Sequence, residues 1–307
     1  MNNLTLTASD GARLACYVWP VDDPNRVIHI AHGMGEHARR YDRVARALNT
    51  AGYEVIACDQ RGHGATAQAL LGDLGGDGWN RLVADAYEVN RHIALLHPKV
   101  PIVLLGHSMG AMMAQLYITR YGQSIDALVL SGSPGFKTPL SHFLSRQIAQ
   151  FEVWRVGWNQ HSALLQRLLF ADSNKAFSAP HANGFEWLSR DAGAVQKYID
   201  DPDCGFVLTA GSLLDLVVGL EKNQCTQVLL KIPKALPIYV FSGTEDPVHG
   251  GRKDLNRMLS AFEQQGLMSV DVNWYAAGRH EMFNELNAEE VIADLVGWLN
   301  RLHSTHD

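Results

Sequence analysis

The sequence predicts an α/β protein: a mostly parallel eight-stranded sheet with helices on both faces and a helical cap inserted into it. Short apolar runs alternate with helix-period segments up to about Gly135. The alternation stops between Gly135 and Lys231, where only helix-like segments occur, and then returns. One of the apolar runs ends in Gly106-His107-Ser108-Met109-Gly110 and is followed at once by a helical segment. Strands that are apolar on both sides and alternate with helices belong to parallel sheets covered on both faces.

The elements follow in order. Leu4–Thr7 and Leu14–Trp19 flank the turn Ser9-Asp10-Gly11 and predict an antiparallel hairpin at one edge. Val27–Ala31 and Glu54–Cys58 are short apolar strands. Between them Tyr41, Val44, Ala45 and Leu48 recur at helical spacing, with Gly52 closing that helix. Trp79, Leu82, Val83, Ala86, Ile93 and Leu96 mark a long helix that stops before Pro98. Ile102–Leu105 and Ala127–Leu130 complete the first half of the sheet. Four helix-like segments then lie near Leu140–Trp154, Ser162–Phe170, Trp187–Ile199 and Val207–Lys222. Strand Pro237–Ser242, helix Arg252–Gln265, strand Val270–Tyr275 and a last helix bearing Val291, Ile292, Leu295, Trp298, Leu299 and Leu302 restore the alternation. The expected division is a core of residues 1–134 and 232–307 with a cap of 135–231.

Composition narrows the function classes. A net charge of −6 and the lack of any Lys/Arg run argue against nucleic acid as a partner. The first residues have neither a basic start nor a long apolar core, so they do not read as a signal peptide. No run of about 18 apolar residues is present. The four cysteines, Cys16, Cys58, Cys204 and Cys225, are scattered without a C-x-x-C spacing, and the expectation is four reduced thiols in a cytoplasmic protein. The 14 histidines show no zinc-type spacing.

The segment around Ser108 carries the chemistry. A serine at a sharp strand-to-helix turn stands clear of the sheet, and glycines two residues before and after leave room where side chains would clash. A serine nucleophile needs a base, and the base an orienting acid, in the chain order Ser, Asp or Glu, His. Phe241-Ser-Gly-Thr-Glu-Asp246-Pro and Tyr275-Ala-Ala-Gly-Arg-His280-Glu281 follow the two returning strands, at the carboxyl edge where open α/β sheets bind ligands. His280 is the candidate base and Asp246 the candidate acid, with Glu245 its rival. The backbone N–H of Met109 and of Met34, in His32-Gly33-Met34-Gly35-Glu36-His37, are the candidate oxyanion donors. Glu36 is read as complementing the following helix, and His37 as a residue of the mouth or of the structure. Asp59-Gln-Arg-Gly-His-Gly64 reads as a hydrogen-bonded turn supporting the site.

Together these segments resemble the α/β-hydrolases of the monoacylglycerol lipase and lysophospholipase group, over both halves of the sheet. The resemblance implies an α/β-hydrolase fold, a lid over the site and carboxylic ester substrates, often with one acyl chain. It assigns Ser108, Asp246 and His280 to the triad and Met34 and Met109 to the oxyanion hole. No cofactor and no metal are expected. The expected partner is a small acyl ester, with transient contact between the cap and a membrane or micelle surface. Apolar cap residues, among them Phe143, Leu144, Ile148, Phe151, Leu165, Leu213 and Leu216, either line an acyl tunnel or pack the cap onto the sheet. The alternatives are a short-chain carboxylesterase, an aminopeptidase or amidase using Glu152, Asp191, Asp200 or Asp215 to hold an amine, and a non-catalytic binding protein on the same scaffold.

Overall fold

The computed structural model describes residues 1–68, 70–168, 172–177 and 182–302. Its eight strands are β1 (Asn2–Thr7), β2 (Arg13–Trp19), β3 (Arg26–Ala31), β4 (Tyr53–Cys58), β5 (Ile102–His107), β6 (Ala127–Ser131), β7 (Ile238–Gly243) and β8 (Val270–Tyr275). They form one sheet in the order β1-β2-β4-β3-β5-β6-β7-β8. The β1–β2 and β2–β4 pairs are antiparallel, and every other pair is parallel.

Side chains along each central strand alternate between two cores. On β5, Ile102 and Leu104 join one core, while Val103 and Leu105 join the other. The first core is covered by α2 (Gly78–Leu96), α3 (Met109–Tyr121) and α10 (Lys253–Gln264). The second is covered by α1 (Asp42–Thr50) and α11 (Ala288–Arg301). This two-sided cover is why the central strands read as unbroken apolar runs.

Between β6 and β7 lie α4 (Pro139–Val156), α5 (Ala163–Gln166), α6 (Asp172–Asn174), α7 (Ala192–Asp200), α8 (Ala210–Asn223) and α9 (Thr226–Leu229), with no strand among the described residues. Pro139 starts α4 at a position where no N–H is needed, and Thr138 caps it by accepting from Ser141 N. α4 packs along α8. Two expected helices differ from those observed. The segment Ser162–Phe170 contains the single turn α5, and its residues 169 and 170 lie outside the described residues. The segment Trp187–Ile199 becomes helical only at Ala192, because Asp191 caps that helix by accepting from Gly193 N and Ala194 N. Among the described residues no helix is long and apolar enough to cross a membrane.

The expectation of four reduced thiols is overturned. Cys16 on β2 and Cys58 on β4 are bonded as a disulfide, while Cys204 and Cys225 are free. The antiparallel register places Cys16 directly opposite Cys58. Cross-strand pairs of this kind bring Cβ atoms together, a proximity that the 42-residue separation hides. The cytoplasmic expectation loses the support it drew from reduced thiols. Unfolding without reductant exposes two titratable thiols and unfolding with reductant exposes four, and a thiol assay that finds four in both cases contradicts the bond. Closing a loop of this size contributes up to about 4 kcal/mol in the chain-entropy account, so reduction lowers the thermal midpoint.

Candidate active site

The turn between β5 and α3 is held in a conformation that few residues adopt. Ser108 has φ 51° and ψ −112°, outside the ordinary regions for an L-residue. Its N–H donates to the Ser131 carbonyl at 3.0 Å and its own carbonyl accepts from Met112 N at 3.0 Å. A Cβ on Gly110 would lie 2.1 Å from the Ala31 oxygen, and one on Gly106 would lie 2.5 Å from the Gly110 oxygen. Both glycines are therefore required by backbone approaching backbone.

The loops after β7 and β8 converge on this serine. The Ser108 hydroxyl lies 2.9 Å from His280 Nε2, and His280 Nδ1 lies 3.0 Å from Asp246 Oδ2. Asp246 is 1% exposed and its carboxylate also accepts from the Ser242 hydroxyl at 3.1 Å and from Val248 N at 2.9 Å. Glu245, the rival acid, is exposed. Burial disfavours the His280 imidazolium, but the Asp246 carboxylate beside it outweighs burial, with Glu281 and Glu36 adding, so its pKa lies above the ordinary 6.5. Burial likewise works against the Asp246 carboxylate, yet His280 holds its pKa below the usual value. His107, whose ring is 4.8 Å from that of His280, is pushed down to about 4 by burial and by the neighbouring imidazole.

Met109 opens α3 immediately after Ser108, and Met34 lies in the loop after β3. That loop approaches the serine closely: a Cβ on Gly33 would lie 3.3 Å from Ser108 Cβ. Glu36 differs from its expected role. One carboxylate oxygen accepts from Gly33 N at 2.5 Å and from the Tyr41 hydroxyl at 2.9 Å, and the other from Arg40 at 2.5 Å. Arg40 also makes a two-pronged bond with Glu281, at 2.8 and 2.7 Å. One guanidinium thus ties the Met34 loop to the residue after His280. Charged residues usually read as surface, so this buried link across 241 positions has no signature in the residue pattern.

Asp59 behaves as the supporting turn expected: it accepts from Ala38 N, Ala65 N and the Tyr17 hydroxyl. His37 Nε2 donates to Asp201 Oδ2 at 2.9 Å, which attaches the Met34 loop to the residue following α7. Together with Cys204 these two form a group whose ligand-type atoms lie within 4.8 Å of one another. Burial raises the Cys204 pKa well above that of a free thiol.

Replacing Arg40 by alanine leaves the carboxylates of Glu36 and Glu281 buried without their cation. Removing one partner of a buried ion pair destabilises by about 3–5 kcal/mol, and Arg40→Ala is expected to fall in that range in denaturant unfolding. A loss below about 1 kcal/mol would show the network to be solvated.

Comparison with known proteins shows the family. The hydrolase family described as serine aminopeptidase, S33, matches residues 22–287. The chain is 34% identical to the human monoglyceride lipase over 98% of this chain and 91% of that one. It is 34% identical to the monoglyceride lipase homolog of monkeypox virus over 94% and 95%. Its fold is similar to a thermostable carboxyl esterase from Bacillus coagulans solved in complex with glycerol, with a TM-score of 0.89 at 25% identity over 98% of each chain. The chain belongs to this hydrolase family, as an α/β-hydrolase of the monoacylglycerol lipase-like group and a carboxylic ester hydrolase.

Proposed function

We propose that the protein hydrolyses monoacylglycerols or similar single-chain acyl esters through an acyl-enzyme on Ser108. The observation that carries the reading is the hydrogen-bonded line Ser108–His280–Asp246 at the carboxyl edge of the sheet. His280 Nε2 takes the hydroxyl proton as Ser108 attacks the ester carbonyl. The resulting oxyanion accepts from the backbone N–H groups of Met34 and Met109. His280 then passes its proton to the leaving alcohol, and repeats the cycle with water to release the acid. Asp246 holds the tautomer with Nδ1–H and stabilises the imidazolium. The helices between β6 and β7 form the cap over this edge.

The amide alternative has less support. Glu152 is bound by Arg155 and Ser162, Asp191 caps α7, Asp200 accepts from Gln196, and Asp215 accepts from Gly78 N. Each acid that could have held a substrate amine is already engaged. On α4, Leu140, Phe143, Leu144, Phe151 and Trp154 are exposed, Trp154 by 79%. Their spacing at three and four residues forms an outward apolar stripe suited to a lipid or micelle surface. Leu165, Leu213 and Leu216 are buried and pack the cap instead.

Ser108→Ala is expected to abolish turnover, since losing the nucleophile of a comparable triad costs roughly a millionfold. Asp246→Asn lowers kcat by up to about ten-thousandfold while Glu245→Gln is mild, and the reverse ranking would transfer the acid role. Because the base works only when neutral and its pKa is raised, kcat/KM falls on the acid side with a midpoint above pH 6.5. A midpoint below that value contradicts the Asp246–His280 pairing.

A panel of p-nitrophenyl esters from short to long acyl chains, with a monoacylglycerol and an aminoacyl substrate alongside, tests the substrate class. kcat/KM rises with chain length by up to roughly fourfold per methylene, from about 0.8 kcal/mol for each one buried. Phe151→Asp with Trp154→Asp lowers the rate on micellar substrate and spares the soluble short ester. A profile that peaks at acetate, or an aminoacyl substrate that outpaces the esters, rejects the reading.

A further inference from the structure

The segment from Glu186 to Arg190 lies along the His280 loop as a strap. His280 N donates to the Trp187 carbonyl at 3.3 Å, and Glu281 N donates to the Leu188 carbonyl at 2.7 Å. Side chains fasten the strap at both ends. Arg279 Nη1 donates to the carbonyls of Glu186 at 2.6 Å and Ser189 at 3.1 Å. The Ser189 hydroxyl donates to the Asn284 carbonyl at 2.7 Å. Arg190 Nε pairs with Glu285 Oε2 at 2.8 Å, and the other Glu285 oxygen accepts from the backbone of Arg190 and of Arg279. The indole of Trp187 comes to 4.9 Å from the imidazole of His280, tilted by 34°. Both residues are buried.

We propose that Trp187, carried on this strap, is a positioning residue for His280. Two ordinary hydrogen bonds leave an imidazole able to rock about its Cβ–Cγ bond. A large flat side chain packed against the ring opposes that rocking and keeps both nitrogens aligned with Asp246 and Ser108. The same indole face lies within the range at which an aromatic ring attracts a cation, so it favours the imidazolium formed as Ser108 attacks. The other groups around the imidazole are Asp246 with His249 behind it, His107 at the end of β5, Glu281 beside it, and Glu36 with Arg40 from the opposite loop. All of them remain when Trp187 is changed. The inference rests on the reading of His280 as the general base.

The test is steady-state kinetics across pH on a soluble p-nitrophenyl ester, with thermal midpoints, for wild type, Trp187→Leu, Trp187→Phe, Arg190→Gln and His280→Ala. Trp187→Leu lowers kcat by about ten- to a hundredfold with KM within about twofold. It also moves the acid limb of kcat/KM to lower pH by roughly half a unit to one unit, because a contact that favoured the charged imidazole is gone. Trp187→Phe, which keeps a ring, recovers most of both effects. Equal behaviour of the Leu and Phe variants, an unmoved acid limb, or a change confined to KM overturns the inference. Should Trp187→Leu fail to fold, Arg190→Gln releases the strap without touching the imidazole, and the same loss in kcat is expected there; wild-type kcat overturns the inference. An active His280→Ala variant rejects the base itself. With that variant inactive, wild-type rates for the Trp187 variants reject the role of Trp187 alone.

Discussion

The backbone of Ser108, fixed at φ 51° and ψ −112°, is the constraint around which the other elements are arranged. A residue so placed costs on the order of 1–3 kcal/mol and persists only where its surroundings over-determine it. Here β6 receives its N–H, α3 returns a bond to its carbonyl, and β3 presses against Gly110. The strain is carried by three central strands that are buried along their whole length. Its result is a hydroxyl standing free of the strand ends, where the loops after β7 and β8 can meet it.

The charges around that hydroxyl favour the protonated form of His280. Asp246 is held ionised below the usual carboxylate range, and His107 is held neutral by burial with a pKa of about 4. Glu36, in spite of burial, is drawn down to about 2 by Arg40 and the adjoining histidines. Beside them the Asp246 carboxylate outweighs burial and raises the His280 pKa above its ordinary value. The buried arginine also neutralises two carboxylates near the place where an oxyanion would form, which limits their repulsion of it.

Much of this could be read from the residues. The alternation of strands and helices, the serine turn and the Ser, Asp, His sequence of loop residues are local patterns, and local patterns survive in one dimension. The Cys16–Cys58 bond does not, because it depends on the chain pairing β2 with β4 and placing β3 beyond them. The Arg40 bridge is hidden for the same reason. The misread helix at Trp187 has a different cause. Trp187 and Leu188 are apolar because they pack against the His280 loop, and their spacing from Val195 imitates a helical face. The signal that would have corrected it was present in Asp191, an N-cap residue type whose carboxylate accepts from the backbone N–H groups of Gly193 and Ala194.

The helices between β6 and β7 are bonded unevenly to the rest of the chain, and this follows from which of their groups are polar. The stretch from Glu186 to Phe206 is tied to the core by the Arg190–Glu285 pair, the His37–Asp201 bond and the bond from Gly205 N to the Gly35 carbonyl. Each of these bonds reaches a loop that carries a site residue. The exposed apolar side chains are concentrated instead on α4, whose partner is α8 within the cap. Directional bonds resist displacement, whereas apolar faces exchange partners at little loss when another apolar surface is available. A substrate path that displaced the strap would release His280 from Trp187 and disturb the alignment with Ser108. A path that opened beside α4, on the side where the exposed apolar residues lie, would leave the strap, His280 and the Met34 loop in place.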